Sequence, residues 1–356
     1  MTSRSRTAAV VGTGLIGGSI GLALRSLGWH VTGFDHDEAR ANRALEVGAV
    51  DDLGASFDAV DLAFIATPVG SVARAVNDSF ASGAAVVTDV GSVKSSIVSS
   101  VDSPRFVGGH PMAGSEQEGV DGATATMFEG AVWVLTPTPS TDHDAHALVR
   151  ATVKSFGADV VELAPDRHDA LVAVVSHVPQ LTASSLMVLA ADRAEEHRAM
   201  LRLAAGGFRD MTRIASGHPG IWPDICAENR EAIVSTLTGL EDALRRVREI
   251  VERGDRDALL DVLERARRAR VNLPPRVASI AEMAEVRVPV PDRPGVLAEV
   301  TTLASELGVN IADFEIAHSA EGNQGVLVLL VPVDAAERFT GGLMARGYRS
   351  SWQSLE

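Results

Sequence analysis

Residues 8–19 read Ala8-Ala9-Val10-Val11-Gly12-Thr13-Gly14-Leu15-Ile16-Gly17-Gly18-Ser19. A short apolar run enters a tight glycine turn, and the turn opens an apolar helix. Gly12 lets the chain reverse, Gly14 lets the backbone approach a pyrophosphate, and Gly17 lets the helix pack close to the strand. The pattern predicts the first βα unit of a dinucleotide-binding sheet, with the phosphates at the helix N-terminus.

An acidic residue stands where the second strand would end. His30-Val31-Thr32-Gly33-Phe34 reads as that strand, and Asp35 follows it directly. A carboxylate here can accept hydrogen bonds from a ribose diol and repels a 2′-phosphate, so NAD is favoured over NADP. The residues expected to contact the cofactor are Gly12, Thr13, Gly14, Leu15, Ile16, Gly17, Asp35, Thr67, Pro68 and Ser92.

The composition limits the domain count and the partners. At 356 residues, 46% of them hydrophobic, the chain is long enough for two or three domains. Its formal net charge of −15 argues against nucleic acid and anionic membranes as partners, because both require a basic surface. The single cysteine, Cys226, excludes a disulfide framework and fits a reducing cytoplasm.

Neither a targeting segment nor a membrane span is expected. No apolar run approaches the length that crosses a bilayer. Residues 1–6 form a short polar tail that leads straight into the first strand, so removal of a signal peptide would also remove the cofactor site. The expected location is therefore the cytoplasm.

Residues 1–165 alternate between strand-like and helix-like segments, which predicts a Rossmann-type, doubly wound α/β sheet. Ligands of such sheets bind beyond the carboxyl ends of the strands. Thr67, Ser92 and His110 each follow a predicted strand end, so we expect them to converge on one cleft. The later strands are expected at residues 62–66, 84–90, 105–108, 131–135 and 160–163.

Residues 166–272 carry few strand signals, and their apolar residues recur at helical spacing, which predicts an all-α substrate and dimerisation domain. Residues 170–175 and 181–191 are apolar on nearly every side. Such helices are often buried between subunits, so a homodimer is expected. Residues 241–270 are amphipathic and rich in charge, and they predict two surface helices separated near Gly254.

A third domain is predicted at residues 284–356, after a linker that contains Pro274 and Pro275. Its segments alternate in the order βαββαβ, which is the order of a ferredoxin-like unit. The strands are expected at residues 284–290, 310–316, 325–331 and 349–352, the last of them a short edge strand.

Three segments carry polar residues that a core alone would not need. In residues 88–94, Ser92 is either the cap of the following helix or a site residue. In residues 108–116, glycines and a proline fix an irregular loop that presents His110. His177 lies on an apolar helix that Pro179 should kink, and it is either a core histidine or a member of the site.

Two arginines compete for the binding of an anion. Arg209 is followed by Asp210, its natural ion-pair partner, whereas Arg213 has no acid close to it on its C-terminal side and is the better candidate. No Cys/His cluster has metal-ligand spacing, and no Gly-x-Ser-x-Gly elbow occurs, so neither a metal nor a serine nucleophile is expected.

Taken together, these segments resemble the prephenate dehydrogenase family over residues 8–245. The resemblance rests on the glycine turn and on four further motifs: Asp89-Val90-Gly91-Ser92-Val93-Lys94, Gly109-His110-Pro111-Met112-Ala113-Gly114, Ser176-His177-Val178-Pro179-Gln180, and Arg209-Asp210-Met211-Thr212-Arg213-Ile214-Ala215 with Trp222. It implies NAD-dependent oxidative decarboxylation of prephenate to 4-hydroxyphenylpyruvate in tyrosine biosynthesis.

The resemblance also assigns roles to residues at matching positions. His110 is implied as the partner of the substrate's 4-hydroxyl, with Ser92 assisting and His177 in the same cleft. Arg213 is implied to hold a substrate carboxylate, and Glu116 to lie near the mouth of the site. A neutral imidazole is a suitable proton acceptor near pH 7, and a guanidinium can bind a dianion within an acidic protein. Trp222 completes the implied substrate site.

Other functions remain open. Arogenate, in which an amino group replaces the keto group, would undergo the same ring chemistry. Dehydrogenases of the hydroxyisobutyrate or ketopantoate type usually rely on a catalytic lysine in the helical domain, and this chain has no lysine after Lys154. A non-catalytic nucleotide sensor would have no need of His110 together with Arg213.

The C-terminal segment resembles an ACT domain, a small module that binds an amino acid for regulation. The resemblance rests on Asp292-Arg293-Pro294-Gly295-Val296-Leu297. It implies a regulatory site at Asp292, Gly295 and Asn310, with tyrosine as the effector because tyrosine is the end product. The alternative is a domain that only stabilises the oligomer.

Overall fold

The computed structural model describes residues 6–57, 60–114, 117, 119–196, 206–271, 283–291, 293–318 and 324–354. The chain divides into two compact units. Unit 1 contains residues 1–198 and 212–248, and unit 2 contains residues 199–211 and 249–356. The residues predicted to bind the cofactor and to catalyse the reaction all lie in unit 1.

Unit 1 is built on eight strands: Thr7–Val11 (β1), His30–Phe34 (β2), Asp52–Leu53 (β3), Leu62–Ile65 (β4), Val86–Asp89 (β5), Phe106–Pro111 (β6), Val132–Thr136 (β7) and Asp159–Glu162 (β8). They form one sheet in the order β3-β2-β1-β4-β5-β6-β7-β8, in which only β6 and β7 are antiparallel neighbours. The order from β3 to β6 is that of a Rossmann-type sheet, as predicted.

Helices accompany this sheet at Leu15–Ser26 (α1), Glu38–Glu46 (α2), Val69–Ala81 (α3), Ser95–Ser99 (α4) and His143–Ser155 (α5), with a 3₁₀ turn at Val120–Gly122. Ala8 and Val10 of β1 belong to one buried cluster, and Ala9 and Val11 belong to another. Successive side chains of a strand point to opposite faces, so both faces of the sheet are covered. This explains the unbroken apolar run at the start of the chain.

The structure differs from the predicted strands at two places. The short strand β3, Asp52–Leu53, has no counterpart in the prediction, because two residues are too few to show an alternation of apolar and polar side chains. His110 was expected in a loop after a strand at residues 105–108, but β6 continues through it. The cause is the antiparallel pairing with β7, which places His110 opposite Val134.

The chain continues with Pro165–Val172 (α6), Val178–Glu196 (α7), Gly206–Thr212 (α8), Trp222–Glu228 (α9), Arg230–Arg253 (α10) and Arg256–Val271 (α11). A π-helical turn, Ala173–His177, joins α6 to α7, and 3₁₀ turns lie at Arg213–Ser216 and Pro219–Ile221. The helical character of this region is confirmed for its described residues, and so is the break at Gly254 between two charged helices.

The sequence predicts a kink at Pro179, but the structure has a wider, π-helical turn just before this proline. Proline has no N–H, and its ring clashes with the carbonyl four residues earlier, here that of Val175. The five residues of the π-helical turn, Ala173–His177, lie just before it and include that carbonyl. π-helical turns are frequent at functional sites, and this one ends at His177.

The expectation that no segment reaches membrane-spanning length was wrong. Pro165–Arg193 is a helical segment of 29 residues, long and apolar enough to cross a bilayer by length and composition alone. Unit 1 offers another reason for its apolar character. Ala173 and Val178 pack against Ile233 of α10 in a buried cluster, so part of the segment belongs to a protein core.

Unit 2 contains Met283–Pro291 (β9), Val296–Glu306 (α12), Asp313–His318 (β10), Gln324–Pro332 (β11), Val333–Ala345 (α13) and Ser351–Ser354 (β12). The four strands form an antiparallel sheet in the order β10-β11-β9-β12. Alternate residues of β9, Val286 and Val288, are buried with Phe339 of α13. The predicted βαββαβ order is confirmed, with the short last strand at the edge of the sheet.

Candidate active site in unit 1

The glycine turn after β1 has the geometry that only glycine tolerates. Gly12 has a φ of +92° and donates its N–H to the carbonyl of Phe34 at 2.7 Å. A Cβ on Gly12 would lie 2.5 Å from the carbonyl oxygen of Ala66, and a Cβ on Gly17 would lie 1.9 Å from that of Gly12. The turn is therefore hydrogen-bonded to the end of β2 and packs against Ala66, which follows β4. It also lets α1 pack close to β1, as the sequence predicted.

Asp35 holds the glycine turn from the end of β2. Its Oδ2 accepts the N–H of Thr13 at 2.9 Å, and its Oδ1 accepts the N–H of Asp37 at 3.0 Å. The side chain is only 5% exposed. Oδ2 also accepts the hydroxyl of Thr13 at 3.3 Å, and Oδ1 lies 3.2 Å from Nδ1 of His36. Both carboxylate oxygens are thus fixed at the edge where the ribose of a dinucleotide would lie.

The start of α1 fits the phosphates of such a cofactor. No side chain caps the helix at Gly14, and the position of a Cβ on Gly14 has no atom within 4 Å. Leu15 and Ile16 form the first turn. At the end of β4, the hydroxyl of Thr67 is buried without a partner among the described residues, and Pro68 precedes α3. The residues present fit NAD.

His110 lies at the carboxyl end of β6 and begins a row of hydrogen bonds. Its Nδ1 lies 2.9 Å from Nε2 of His168, and Nδ1 of His168 lies 2.8 Å from Oδ1 of Asp169. His168 is fully buried, Asp169 is 5% exposed and His110 is half-buried. Residues far apart in the chain therefore meet at the edge of the sheet.

The Asp169 carboxylate also caps α4. It accepts the backbone N–H groups of Lys94 and Ser95, each at 2.8 Å. Burial favours the neutral acid, but the hydrogen bonds from His168, Ser95 and Lys94 outweigh it and hold the pKa of Asp169 below its ordinary value. The alternative that Ser92 caps this helix is wrong, because α4 begins three residues later and its cap comes from α6.

The row of hydrogen bonds determines the tautomer of His110. An ionised Asp169 can only accept, so Nδ1 of His168 carries the proton that it donates. Nε2 of a neutral His168 then accepts from Nδ1–H of His110, which leaves a lone pair on Nε2 of His110. Burial, with the nearby His168, Lys94 and His177, lowers the pKa of His110 well below 6.5. The ring of His110 is therefore neutral at pH 7 and can accept a proton on Nε2.

A buried ion pair fixes the backbone that carries His110. Lys94 and Asp89 are both fully buried and bonded to each other. Nζ of Lys94 also donates to the carbonyl of Gly109 at 2.7 Å, and Oδ1 of Asp89 accepts the Gly109 N–H at 3.0 Å. Both backbone groups of the residue before His110 are thereby held. Burial lowers the pKa of Lys94, against the pull of the Asp89 carboxylate.

A second histidine comes from the π-helical turn. His177 is 1% exposed, and its Nδ1 lies 3.1 Å from Nδ2 of Asn229. The ring of Trp222 meets it edge to face, with the ring centroids 6.2 Å apart. Burial lowers the pKa of His177 to about 4. The structure thus brings together two of the predicted residues, His177 and Trp222.

The structure places the remaining predicted residues as follows. Arg213 is exposed at the start of a 3₁₀ turn that packs against α7, and Ser92 is half-buried between β5 and α4. Glu116 and Asp292 lie outside the described residues. In unit 2, Gly295 precedes α12, while Asn310 is exposed ahead of β10, which begins three residues later than predicted.

Sequence reasoning missed His168, Asp169 and Asn229. His168 and Asp169 end a polar run, Asp166-Arg167-His168-Asp169, at the start of α6, so nothing in the local sequence distinguishes them. Their partner His110 is 58 residues away from His168. Among the described residues, no cluster of His, Cys, Asp or Glu could hold a metal ion.

Two family models match the chain: the nucleotide-binding domain of prephenate dehydrogenase over residues 20–162 and its dimerization domain over residues 164–265. The Bacillus subtilis prephenate dehydrogenase is 34% identical over 342 residues, which cover 92% of each chain.

Solved structures agree. The A. aeolicus prephenate dehydrogenase, in complex with hydroxyphenyl propionate and NAD⁺, is 29% identical with a TM-score of 0.72, over 77% of this chain and 100% of that one. Synechocystis arogenate dehydrogenase is 28% identical with a TM-score of 0.66, over 74% of this chain and 98% of that one. With its site, its sequence and its fold in agreement, the chain belongs to the prephenate dehydrogenase family of NAD-dependent oxidoreductases.

Proposed function

We propose that this chain catalyses the NAD-dependent oxidative decarboxylation of prephenate to 4-hydroxyphenylpyruvate in tyrosine biosynthesis. The observation that carries the proposal is the row His110–His168–Asp169, which leaves a basic nitrogen at the carboxyl edge of the cofactor-binding sheet. Membership of the family supports the choice of substrate class.

Bound NAD supplies the acceptor for the hydride that leaves C4 of the substrate ring. As C4 is oxidised, its hydroxyl becomes a carbonyl and gives its proton to Nε2 of His110. The bond to the ring carboxylate then breaks, carbon dioxide departs, and the electron pair of that bond completes the aromatic ring. The product oxygen takes the proton back from His110, so no net proton is released.

The other roles rest on positions that match the family's motifs. Arg213 holds a substrate carboxylate, since a guanidinium can bind it with two parallel hydrogen bonds. Trp222 and His177 line the same part of the cleft, as their ring contact supports. Ser92 assists His110 at the substrate hydroxyl. Glu116 matches an acid that the family's motifs put near the mouth of the site.

The preference for NAD over NADP follows from Asp35. Its two oxygens accept the N–H groups of Thr13 and Asp37, so the carboxylate cannot swing away from the ribose edge. A 2′-phosphate would meet a negative charge held in place, whereas a ribose diol would donate to it.

Arogenate is the second candidate substrate, and the similarity to the Synechocystis arogenate dehydrogenase favours keeping it. The test is turnover of prephenate and arogenate side by side, each with NAD and with NADP. We expect the highest kcat/KM for prephenate with NAD, with NADH and carbon dioxide formed in equal amounts. A higher kcat/KM for arogenate would make arogenate the substrate of this enzyme. If the enzyme oxidises neither compound, the proposal is wrong.

A homodimer formed through the helical region is part of the proposal. Val174, Val175, Val188 and Leu189 are each more than half exposed on the segment from α6 to α7. Exposed apolar patches of this kind mark interfaces, and the matching family model describes a dimerization domain. A monomeric mass by light scattering at micromolar concentration would contradict this.

Unit 2 is proposed to regulate the enzyme by binding tyrosine. Gly295, with a φ of +91°, opens α12 without a capping side chain, which suits an amino-acid carboxylate. Asn310 and Asp292 would complete the site. The Bacillus subtilis alignment covers 92% of this chain, so it extends into unit 2. We expect tyrosine to inhibit the full-length enzyme. If tyrosine, phenylalanine and tryptophan all leave its activity unchanged, the regulatory role is refuted and unit 2 only stabilises the oligomer.

A further inference from the structure

Asn229 occupies the joint between α9 and α10 with its side chain pointing into unit 1. It is 5% exposed. Its backbone N–H donates to the carbonyl of Ile225 at 2.9 Å, and its own carbonyl accepts from Ile233 at 3.1 Å. The backbone is therefore fixed on both sides, and the side-chain amide has a defined position.

That amide makes two hydrogen bonds through one nitrogen. Nδ2 lies 2.9 Å from the backbone oxygen of Asp169 and 3.1 Å from Nδ1 of His177. A backbone carbonyl can only accept, so the atom facing it must be the NH₂ group. The second N–H of the same group then points at Nδ1 of His177, which must accept with a lone pair. A neutral His177 consequently carries its proton on Nε2.

We propose that Asn229 is a positioning residue that locks His177 in the Nε2–H tautomer, so that His177 acts in the site as a hydrogen-bond donor to an oxygen of the anionic substrate. This inference rests on the proposed function, because it takes His177 to lie in the substrate cleft. The acceptor it would meet is a carboxylate or carbonyl oxygen.

The two histidines of the site then have opposite roles. Asp169 controls both: its carboxylate acts through His168 to give His110 a free acceptor nitrogen, and its backbone oxygen anchors the Asn229 amide that gives His177 a donor nitrogen. Oxidation of an alcohol on an anionic substrate needs one base and at least one donor, and the two environments separate these roles.

Burial keeps His177 neutral. Burial is the largest influence and lowers its pKa to about 4; the Asp169 carboxylate opposes this, and His168 adds to it. His168 and His177 in turn help to lower the pKa of His110, another titratable ring of this site. At working pH the tautomer, and not the charge, therefore determines what His177 offers a ligand.

The first test uses the full-length wild-type protein without substrate. Side-chain ¹⁵N shifts distinguish a ring nitrogen that carries a proton from one with a lone pair. We expect Nδ1 of His177 to resonate as a lone-pair nitrogen and Nε2 as an N–H nitrogen at pH 7.5, with a His177→Gln variant identifying the signals. A protonated Nδ1 would overturn the proposal without any reference to turnover.

The second test is Asn229→Asp, which replaces the donor with an acceptor. Nδ1 of His177 then carries a proton, and the new carboxylate raises the pKa of the ring. Above that pKa, Nε2 has a lone pair facing the substrate oxygen, and KM should rise roughly tenfold to a hundredfold. Below it, His177 is doubly protonated, Nε2–H returns and KM should recover. The wild type keeps Nε2–H throughout and should lack this dependence.

Thr182→Val is the matched control, because its hydroxyl donates to the carbonyl of Val178 within α7 at 2.7 Å and is not one of the hydrogen-bond partners that the described residues give His177. It should keep the wild-type KM at every pH. If Asn229→Asp raises KM equally at all pH values, the tautomer lock is refuted and Asn229 is only structural. If the wild type oxidises neither prephenate nor arogenate while the ¹⁵N shifts are as expected, the proposed function fails and the lock stands.

Discussion

Replacement of His168 with phenylalanine should impair catalysis without impairing binding. The side chain is fully buried and lies between His110 and Asp169, so it contacts neither solvent nor the substrate. Phenylalanine keeps an aromatic ring in the same space. It cannot accept the hydrogen bond from Nδ1 of His110, and the tautomer of His110 is then no longer selected.

The expected loss of kcat follows from the cost of leaving Nδ1–H of His110 without a hydrogen-bond acceptor. A buried N–H without a partner costs about 1–3 kcal/mol. In the variant, that penalty falls on the Nδ1–H tautomer of His110, which is the form with a basic Nε2. At 1.4 kcal/mol per factor of ten, the competent fraction and kcat should fall roughly fivefold to 150-fold. KM for prephenate and the affinity for NAD should change little, since His168 touches neither.

The assay is steady-state NADH formation with prephenate, which separates kcat from KM, together with urea unfolding to verify the fold. His168→Gln is the matched variant, since its amide can accept from His110 and donate to Asp169. It should retain most of the wild-type kcat. The reasoning is refuted if the phenylalanine variant keeps its kcat, or if both variants lose activity through KM alone.

Three further substitutions test other parts of the site. Asp35→Ala should narrow the preference for NAD, because it removes the charge that repels a 2′-phosphate; an unchanged ratio of kcat/KM for the two cofactors would contradict this. Arg213→Ala should raise KM for prephenate tenfold or more while NAD affinity is kept, and an unaltered KM would transfer the role to another cation. Lys94→Met leaves the Asp89 carboxylate buried without its partner, so urea unfolding should show a loss of about 3–5 kcal/mol; a loss below about 1 kcal/mol would mean that water or another group compensates Asp89.

Local patterns predicted the cofactor half of the site. The glycine turn and Asp35 lie within 24 consecutive residues, and the strand–turn–helix pattern is complete within them, although the need for glycine at position 12 also depends on the distant Ala66. The βαββαβ order of unit 2 was equally readable, because residues 284–290 and 310–316 alternate and residues 325–331 form an unbroken apolar run. In both cases most of the sequence signal is short-range.

The catalytic half depends on contacts between distant segments. His110 was placed in a loop because the antiparallel pairing with β7 cannot be read from residues 105–111 alone. His168 and Asp169 lie on α6, and their meeting with His110 and with the start of α4 depends on how that helix packs on the sheet. Pro179 indicated a helix distortion, but not its π-helical form.

The most direct test of the account is the pH dependence of kcat/KM for prephenate in the wild type and in His110→Asn. Nε2 of His110 must be unprotonated to accept the hydroxyl proton, so activity is present above its pKa and is lost as the pH falls through it. Burial holds that pKa well below 6.5. The wild type should therefore keep a constant kcat/KM from pH 8 down to about 6.5 and lose it only at lower pH, with recovery on return to pH 7.5. His110→Asn should be slower by about 10²–10⁴ and lack this acid limb. A wild-type midpoint at or above the ordinary histidine pKa, or an asparagine variant with near-normal rates and the same limb, would contradict the assignment of His110 as the proton acceptor.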